Sequence, residues 1–201
     1  FLRNTINAQR CDVIMGMGSD VDNLRTSKPY YRSGYVFVYR KSSNYNIKDW
    51  DSPDLRKGII GLVGQSPPAI ALRDHDLMGN AHPYRLQRDL NLPPSEMIDD
   101  LVAGKNDIVI IWGPIGGYFA KQSKEPLVIV PIPEFKSEQN SLDTQKGKLE
   151  FNISVAVRKK DKERMEMIQG ALDRNQSKIM KILDDYGIPH VPVVVDDKTG
   201  K

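Results

Sequence analysis

Ile60-Gly-Leu-Val-Gly-Gln-Ser-Pro-Pro68 decides the fold class. Its first four residues make a short apolar run of strand length, Gly64 to Ser66 supply a turn, and prolines suit the first turn of a helix because that turn has no intrahelical use for its N–H groups. A strand that passes through a three-residue turn into a helix is the repeating unit of an α/β protein. Its strand, Gly58 to Val63, is one of six Val- and Ile-rich runs, the others falling at Asp12 to Met17, Tyr35 to Arg40, Asp107 to Trp112, Leu127 to Pro131 and Asn152 to Arg158. Their alternation with helical segments predicts an α/β fold with largely parallel sheets.

Two helices are expected between the third and fourth runs. One covers roughly Pro68 to Leu77 and stops at Gly79; the other opens with Pro93 and Pro94 and ends at Gly104. The longest helix follows Asp161, its expected cap, and carries Met165, Ile168, Leu172, Ile179, Ile182, Leu183 and Tyr186 along one face, which reads as core. Gly187 stops it and Pro189 prevents a restart. Phe1 to Arg10 resembles the last turns of a helix already under way, and Pro131 to Gly147, polar and aperiodic with two prolines, reads as an exposed loop.

Composition removes several function classes. In 201 residues, 29 Lys and Arg against 26 Asp and Glu leave a net charge of +3, and no basic run is interleaved with aromatics, so the footprint of a nucleic-acid binder is missing. No apolar stretch approaches the roughly 20 residues that a membrane-spanning helix requires. Phe1 does not open a secretory signal, because Arg3 and Arg10 bracket a polar segment, and this end of the sequence neither shows nor excludes secretion. Cys11 stands alone, either as a small buried residue at the start of a strand or as half of a disulfide whose partner lies outside this sequence.

The residues that could carry chemistry are few. His75, His82 and His190 do not have a zinc spacing, and Asp74 and Asp76 beside His75 read as a solvated helix face. Gly113-Pro-Ile-Gly-Gly117 follows a strand as phosphate loops do, yet it lacks the Lys-Ser/Thr of such loops and Pro114 removes a donor. Asp196-Asp-Lys-Thr-Gly200 lacks the alternate oxygen ligands of a calcium loop and reads as a tail. With no Gly-x-Ser-x-Gly turn, no catalytic set emerges and no metal or cofactor is expected. The turn at Gln65 and Ser66 has two readings: an anion site at a helix N-terminus, or an ordinary strand-to-helix turn capped by Ser66.

The order of motifs resembles the amino-acid type (family 3) of bacterial extracellular solute-binding proteins. The pieces are Cys11-Asp-Val-Ile-Met-Gly16, Ser27-Lys-Pro-Tyr-Tyr-Arg-Ser33, Ile60 to Ser66, Ala103-Gly-Lys-Asn-Asp-Ile108, and Val155-Ala-Val-Arg-Lys159 before a helix ending in Tyr186-Gly-Ile-Pro189. The resemblance implies a type II periplasmic-binding-protein fold, two α/β lobes joined by two crossing strands with the ligand between them. On that pattern residues 1–40 and 132–201 form lobe one and 41–131 form lobe two, with Tyr35 to Arg40 and Leu127 to Pro131 as the crossing strands. Lobe one then lacks its N-terminal strand, helix and strand.

Within this fold the chain is more closely similar to the MxaJ/XoxJ branch, accessory proteins of bacterial PQQ methanol dehydrogenase systems. The phrases are Cys11 to Gly16, Thr26 to Ser33, Asp49-Trp-Asp-Ser-Pro-Asp-Leu55, Gly64-Gln-Ser-Pro-Pro68 and Ile111-Trp-Gly-Pro-Ile-Gly-Gly-Tyr118. This resemblance implies a periplasmic, non-catalytic protein whose partner is the PQQ methanol dehydrogenase. The alternative is the substrate-binding component of an ABC-type uptake system for a small uncharged or aromatic solute.

Amino-acid binders of the family hold the ligand ammonium with an acid at the end of the strand matching Asp107 to Trp112, and Trp112 stands there instead. They hold the carboxylate through a hydroxyl and an N–H where an ungapped match puts Pro67 and a one-residue shift puts Ser66. They also use an arginine after the first strand of lobe one, for which Arg25 is the candidate. Losing these charges argues against a buried zwitterion, and Tyr30, Tyr31 and Trp112 suggest an aromatic wall able to receive a protein segment. The candidate ligand- or partner-binding residues are Ser19, Arg25, Tyr30, Tyr31, Gln65, Ser66, Trp112 and Gly113, with Trp112 and Gly113 expected to face Gln65 and Ser66 across one surface of lobe two.

Overall fold

Runs of β-branched and aliphatic residues become strands wherever a neighbouring strand and a helix can bury both faces. The computed structural model describes residues 2–19, 21–86, 93–133 and 148–194. Its strands are β1 (Ile14–Gly18), β2 (Leu24–Thr26), β3 (Tyr31–Arg40), β4 (Ile60–Val63), β5 (Ala81–Tyr84), β6 (Ile108–Trp112), β7 (Leu127–Pro131) and β8 (Glu150–Arg158); its helices are α1 (Pro67–Asp74), α2 (Glu96–Val102), α3 (Gly113–Gln122) and α4 (Lys162–Asp185). By internal packing the chain forms two compact units. The first comprises Phe1–Ser33, Phe151–Asp184 and His190–Lys201; the second comprises Gly34–Glu150 and Asp185–Pro189. The changeovers thus fall at 33/34, within β3, at 150/151, at the start of β8, at 184/185, at the end of α4, and at 189/190. The segment Leu127–Pro131, expected as a crossing strand, lies within the second unit and pairs there with β3.

In the second unit the sheet order is β7, β3, β6, β4, β5. β4 runs parallel to both β5 and β6, while β3 is antiparallel to β6 and β7, so parallel pairing is confined to the β6-β4-β5 half of the sheet. The expectation of largely parallel sheets is corrected to that extent, because β3, the longest strand, runs opposite to both of its partners β6 and β7. Phe37, Ile60, Leu62, Leu72, Leu77, Ile108 and Ile110 fill the core on one face, with Trp50 and Leu55 from the segment after β3. Val36, Val38, Val109, Ile111, Met97, Ile98 and Leu101 fill it on the other. Period-two alternation along β3 and β6 therefore feeds two cores, which is why both strands read as continuous apolar runs.

In the first unit β1 and β2 both pair antiparallel with β8, and Ile6, Ile14, Leu24 and Ala156 form a small core with Cys11, Met17 and Val21 packed against it. Residues 2–10 are not the end of an α-helix. They make a short 3-10 turn, Leu2–Asn4, and a further turn with Gln9 in the left-handed region at φ +56°, an arrangement that places Ile6, fully buried, in the core. On α4 the expected core stripe is covered only in part. Met165 and Leu183 are buried, whereas Ile182 and Tyr186 are 53% and 52% exposed.

Gly113 to Gly117, which follows a strand as phosphate loops do but lacks their Lys-Ser/Thr, is the first turn and a half of α3. Pro114 is accepted because it lies in the helix's first turn. The glycines are demanded by packing: a Cβ on Gly116 would stand 2.5 Å from Ile111 Cγ2, and one on Gly117 would stand 2.1 Å from the Gly187 carbonyl oxygen. Two strands also escape the sequence reading. β5 contains Pro83, which an edge strand tolerates, and β2 is three residues long. His75 is not part of a solvated face: it stacks on Trp50 at 5.6 Å and lies 3.5 Å from Asp51. Most of the segment expected as an exposed loop after Pro131, and Asp196 to Gly200, lie outside the described residues, although Ile132 is buried at 1% exposure.

Candidate functional site

In the second unit the carboxyl ends of the parallel strands β4, β5 and β6 open into a pocket of about 330 Å3, the location where open α/β sheets receive ligands. Each strand supplies lining residues from its carboxyl end and the chain just beyond it: Val63 and Ser66 from β4, Tyr84, Arg85 and Leu86 from β5, and Trp112 and Ile115 from the junction of β6 with α3. Tyr35 enters from β3, and Pro93, Pro94, Glu96 and Met97 close the pocket from α2. Ile110 and Ile111, from the end of β6, complete the lining. The lining is apolar except for Arg85 and Glu96, whose side chains are exposed at the rim, for the Ser66 and Tyr84 hydroxyls, which are already engaged, and for the Tyr35 hydroxyl.

The aromatic wall follows from strand register. Tyr35 is the direct partner of Trp112 across the β3–β6 ladder, and the two rings meet edge to face at 5.5 Å and 67°. Burial pushes the Tyr35 phenol above its ordinary pKa, so that ring stays neutral. Tyr84 is held from behind. Its hydroxyl donates to Asp100 Oδ2 at 2.7 Å and accepts from Asn106 Nδ2 at 2.6 Å, while Asn106 Oδ1 meets His82 Nδ1 at 2.7 Å. Burial and the hydrogen bond to Asp100 push the Tyr84 phenol up to about 12. Asp100 is held below the usual carboxylate range by hydrogen bonds from Lys105 and Tyr84. Asn106 is fully buried and fits only because β4 carries Gly61, where a Cβ would lie 2.9 Å from Asn106 Nδ2.

Of the four candidates in this unit, Ser66 and Trp112 line the pocket. Trp112 is half-buried, not sunk in the sheet. Gly113 is buried as the first residue of α3, and Gln65 lies along a shallow depression with Arg73 and Met78 beside α1; neither lines the pocket. The expected capping role of Ser66 is also corrected. Its hydroxyl donates back to the Val63 carbonyl at 2.6 Å and makes no cap bond to α1. An anion site at this turn has little to work with: Pro67 and Pro68 have no N–H, and the N–H groups of Gly64, Ser66 and Ala69 are bonded to Tyr84, Val63 and Ser66 carbonyls.

The four candidates of the first unit do not make one polar site within it. Ser19 Oγ bonds Ser154 Oγ at 2.8 Å. Arg25 lies on β2 and donates from Nε to the Lys159 carbonyl at 3.2 Å. Tyr30 and Tyr31 pack edge to face at 5.0 Å. Burial raises both phenols, Tyr31 to about 12 with help from the Tyr30 phenol, while a backbone hydrogen bond from Gly16 opposes the rise at Tyr30. Cys11 is half-buried, packs against the small core and precedes β1, short of the burial that a small buried residue at the start of a strand would have. Tyr35, Tyr84, Leu86, Met97 and Ile115 were not sequence candidates, because what unites them is strand order and register.

MxaJ from Methylophaga aminisulfidivorans has a solved structure that matches 94% of this chain and 80% of its own length, at 30% identity and a TM-score of 0.80. The chain belongs to the MxaJ/XoxJ family. The periplasmic binding protein XoxJ from Methylobacterium extorquens matches 96% of the chain and 78% of its own length at 30% identity, with a TM-score of 0.76. Protein MoxJ of Methylorubrum extorquens is 29% identical over 202 residues; those span 96% of this chain but only 66% of that protein. Solved amino-acid-binding proteins are matched at 16–19% identity with TM-scores of 0.56–0.67, a likeness of fold alone. No family model matches the chain. Membership of the MxaJ/XoxJ family carries with it the periplasmic-binding-protein fold, with mixed sheets and flanking helices.

Proposed function

We propose that this protein is a non-catalytic periplasmic accessory component of a bacterial methanol oxidation system, which uses a solute-binding fold to bind a PQQ-dependent methanol dehydrogenase and to help activate or mature it. Family membership supports the methanol oxidation system and the periplasmic setting, and no helix of the described residues is long and apolar enough to cross a membrane. The observation that carries the departure from solute transport is Trp112. It stands where amino-acid binders of the fold place the acid that holds the ligand ammonium, and it forms an apolar wall with Tyr35. The carboxylate side is equally altered, since Ser66 uses its hydroxyl on Val63 and prolines come directly after it. A zwitterion brought into this pocket would lose its hydration without gaining buried opposite charges, at a cost of several kcal/mol.

A second reading is favoured by the pocket's size. At about 330 Å3 it would admit a small uncharged or aromatic solute, as the substrate-binding component of an uptake system would require. The test is the dehydrogenase rate measured with full-length protein added in increasing molar ratio. A saturable rise supports the accessory role. No change in rate, together with a small molecule carried through purification, gives the site to uptake.

A further inference from the structure

We propose that the pocket at the ends of β4, β5 and β6 selects an uncharged aromatic ring system of about indole size, and discriminates against the same ring bearing a charge. The inference rests on the pocket being a used site and adds the chemistry of its occupant. Three features carry it. The volume, about 330 Å3, lies at the lower end of the range for small-ligand sites, which suits a single ring system better than an extended molecule. The wall is a preset aromatic corner, with Trp112 and Tyr35 locked edge to face at 5.5 Å by their pairing across the ladder. Such a corner offers a ring face and a ring edge to a third ring.

The polar groups near the pocket are turned to other duties. The Tyr84 hydroxyl both donates and accepts, to Asp100 and from Asn106, neither of which lines the pocket. The Ser66 hydroxyl donates to Val63. Of the charged lining groups only Arg85 and Glu96 remain, both exposed at the rim, where water screens their charges; the Tyr35 hydroxyl is polar but neutral. A ring entering the pocket therefore meets mainly apolar surface, and a charge carried in with it loses hydration without a buried charged partner. The chained bonds from His82 through Asn106 and Tyr84 to Asp100 hold the third side in place before anything binds, which lowers the ordering cost of binding.

This chemistry could come from a free aromatic solute or from the side chain of a protein segment. Calorimetry on the full-length protein with indole, N-acetyl-tryptophanamide, free tryptophan and indole-3-acetate separates them. The expected result is binding of the first two, with free tryptophan and indole-3-acetate at least about tenfold weaker than the capped amide. Trp112→Ala should weaken indole at least about tenfold. Ile115→Asp, on the helix surface at 36% exposure and so tolerated by the fold, should do the same. Indole tighter than the capped amide identifies a free solute; the capped amide tighter than indole identifies a side chain on a backbone. Equal binding of free tryptophan and the capped amide, or no heat from any of the four, overturns the proposal, and neither outcome depends on whether the dehydrogenase rate responds.

Discussion

Gly117→Ala tests the closest approach in the second unit. A Cβ at position 117 would stand 2.1 Å from the Gly187 carbonyl oxygen, 2.6 Å from Pro189 Cδ and 3.1 Å from the Gly187 carbonyl carbon. A carbon-to-oxygen contact ordinarily sits near ~3.5 Å, so the turn must retreat by more than an ångström. It cannot do so by a local rotation, because Gly187 already occupies the left-handed region at φ +70°. The turn Asp185–Pro189 must therefore lift from α3. What it would surrender is the stack of Tyr186 on Tyr118, 5.6 Å between centroids at 22°, and the bond from Lys121 Nζ to the Asp185 carbonyl at 2.6 Å. The stack contributes about 1 kcal/mol, the exposed charged hydrogen bond about 1 kcal/mol, and the packing of Pro189 about 1 kcal/mol.

Against this loss, alanine is favoured over glycine within a helix by about 1 kcal/mol. The steric term wins, and the net destabilisation is about 2 kcal/mol, or a melting point lower by about 4–8 °C in a chain of this size. Gly170→Ala in α4 is the matched control. Its Cβ would meet only the flexible end of Arg174, 3.1 Å away, so the same chemical change should raise the melting point by a few degrees at most. Circular dichroism melts of the two variants beside the parent read the difference directly. If Gly117→Ala melts at or above the parent, the turn is not clasped to α3 and the reasoning fails.

Three further outcomes are expected from the polar framework behind the pocket. Arg40→Met should lower stability by about 2–4 kcal/mol in urea unfolding, because Arg40 bonds the Leu101 and Asn106 carbonyls and pairs with Asp107 at 3.1 Å; a loss under about 0.5 kcal/mol would show that water replaces it. Asn106→Leu should cost about 1–3 kcal/mol and weaken the pocket's grip on indole, since it releases Tyr84 and His82 together; unchanged indole affinity would remove the network from the site. Asp100 has a folded pKa lowered by Lys105 and Tyr84, so its contribution is present above the unfolded carboxyl value near ~4 and is lost as pH falls through the lower folded value. The parent should then lose more of its urea midpoint between pH 6 and pH 3 than Asp100→Asn does, and equal losses would refute the assignment.

How much of this could be read in advance differs by element, for physical reasons. β6 was legible because Ile108 to Ile111 are all buried, leaving an unbroken apolar run. The long helix α4 was legible from its stop at Gly187, a residue that does adopt positive φ. α3 was hidden, because three glycines and a proline in its first five residues argue locally against a helix; only its close contacts with Ile111 and Gly187 explain them. Within the site, Trp112 was found because it ends β6, and Ser66 because it lies in the short turn between β4 and α1. Tyr35 and Tyr84 were not, because one reaches the pocket through antiparallel register and the other through a proline-bearing edge strand.

On the function proposed here, the placement of Trp112 would let a solute-binding fold change its chemistry while keeping its core. Ile108, Val109, Ile110 and Ile111 carry the sheet, at 0%, 0%, 1% and 7% exposure. Trp112 is the next residue, half-buried, at the N-cap position of α3. Its backbone is fixed by β6 on one side and by the glycine-packed helix on the other, while its side chain contributes to the pocket wall. A change at this position alters what the pocket accepts without removing a core contact of Ile108 to Ile111. Ser66 occupies the same kind of position after β4, as N-cap of α1. Trp112 and Ser66 thus both lie outside the buried apolar run that makes their strand, so on the function proposed here the pocket's chemistry can change while the fold, shared with amino-acid-binding proteins at 16–19% identity, persists.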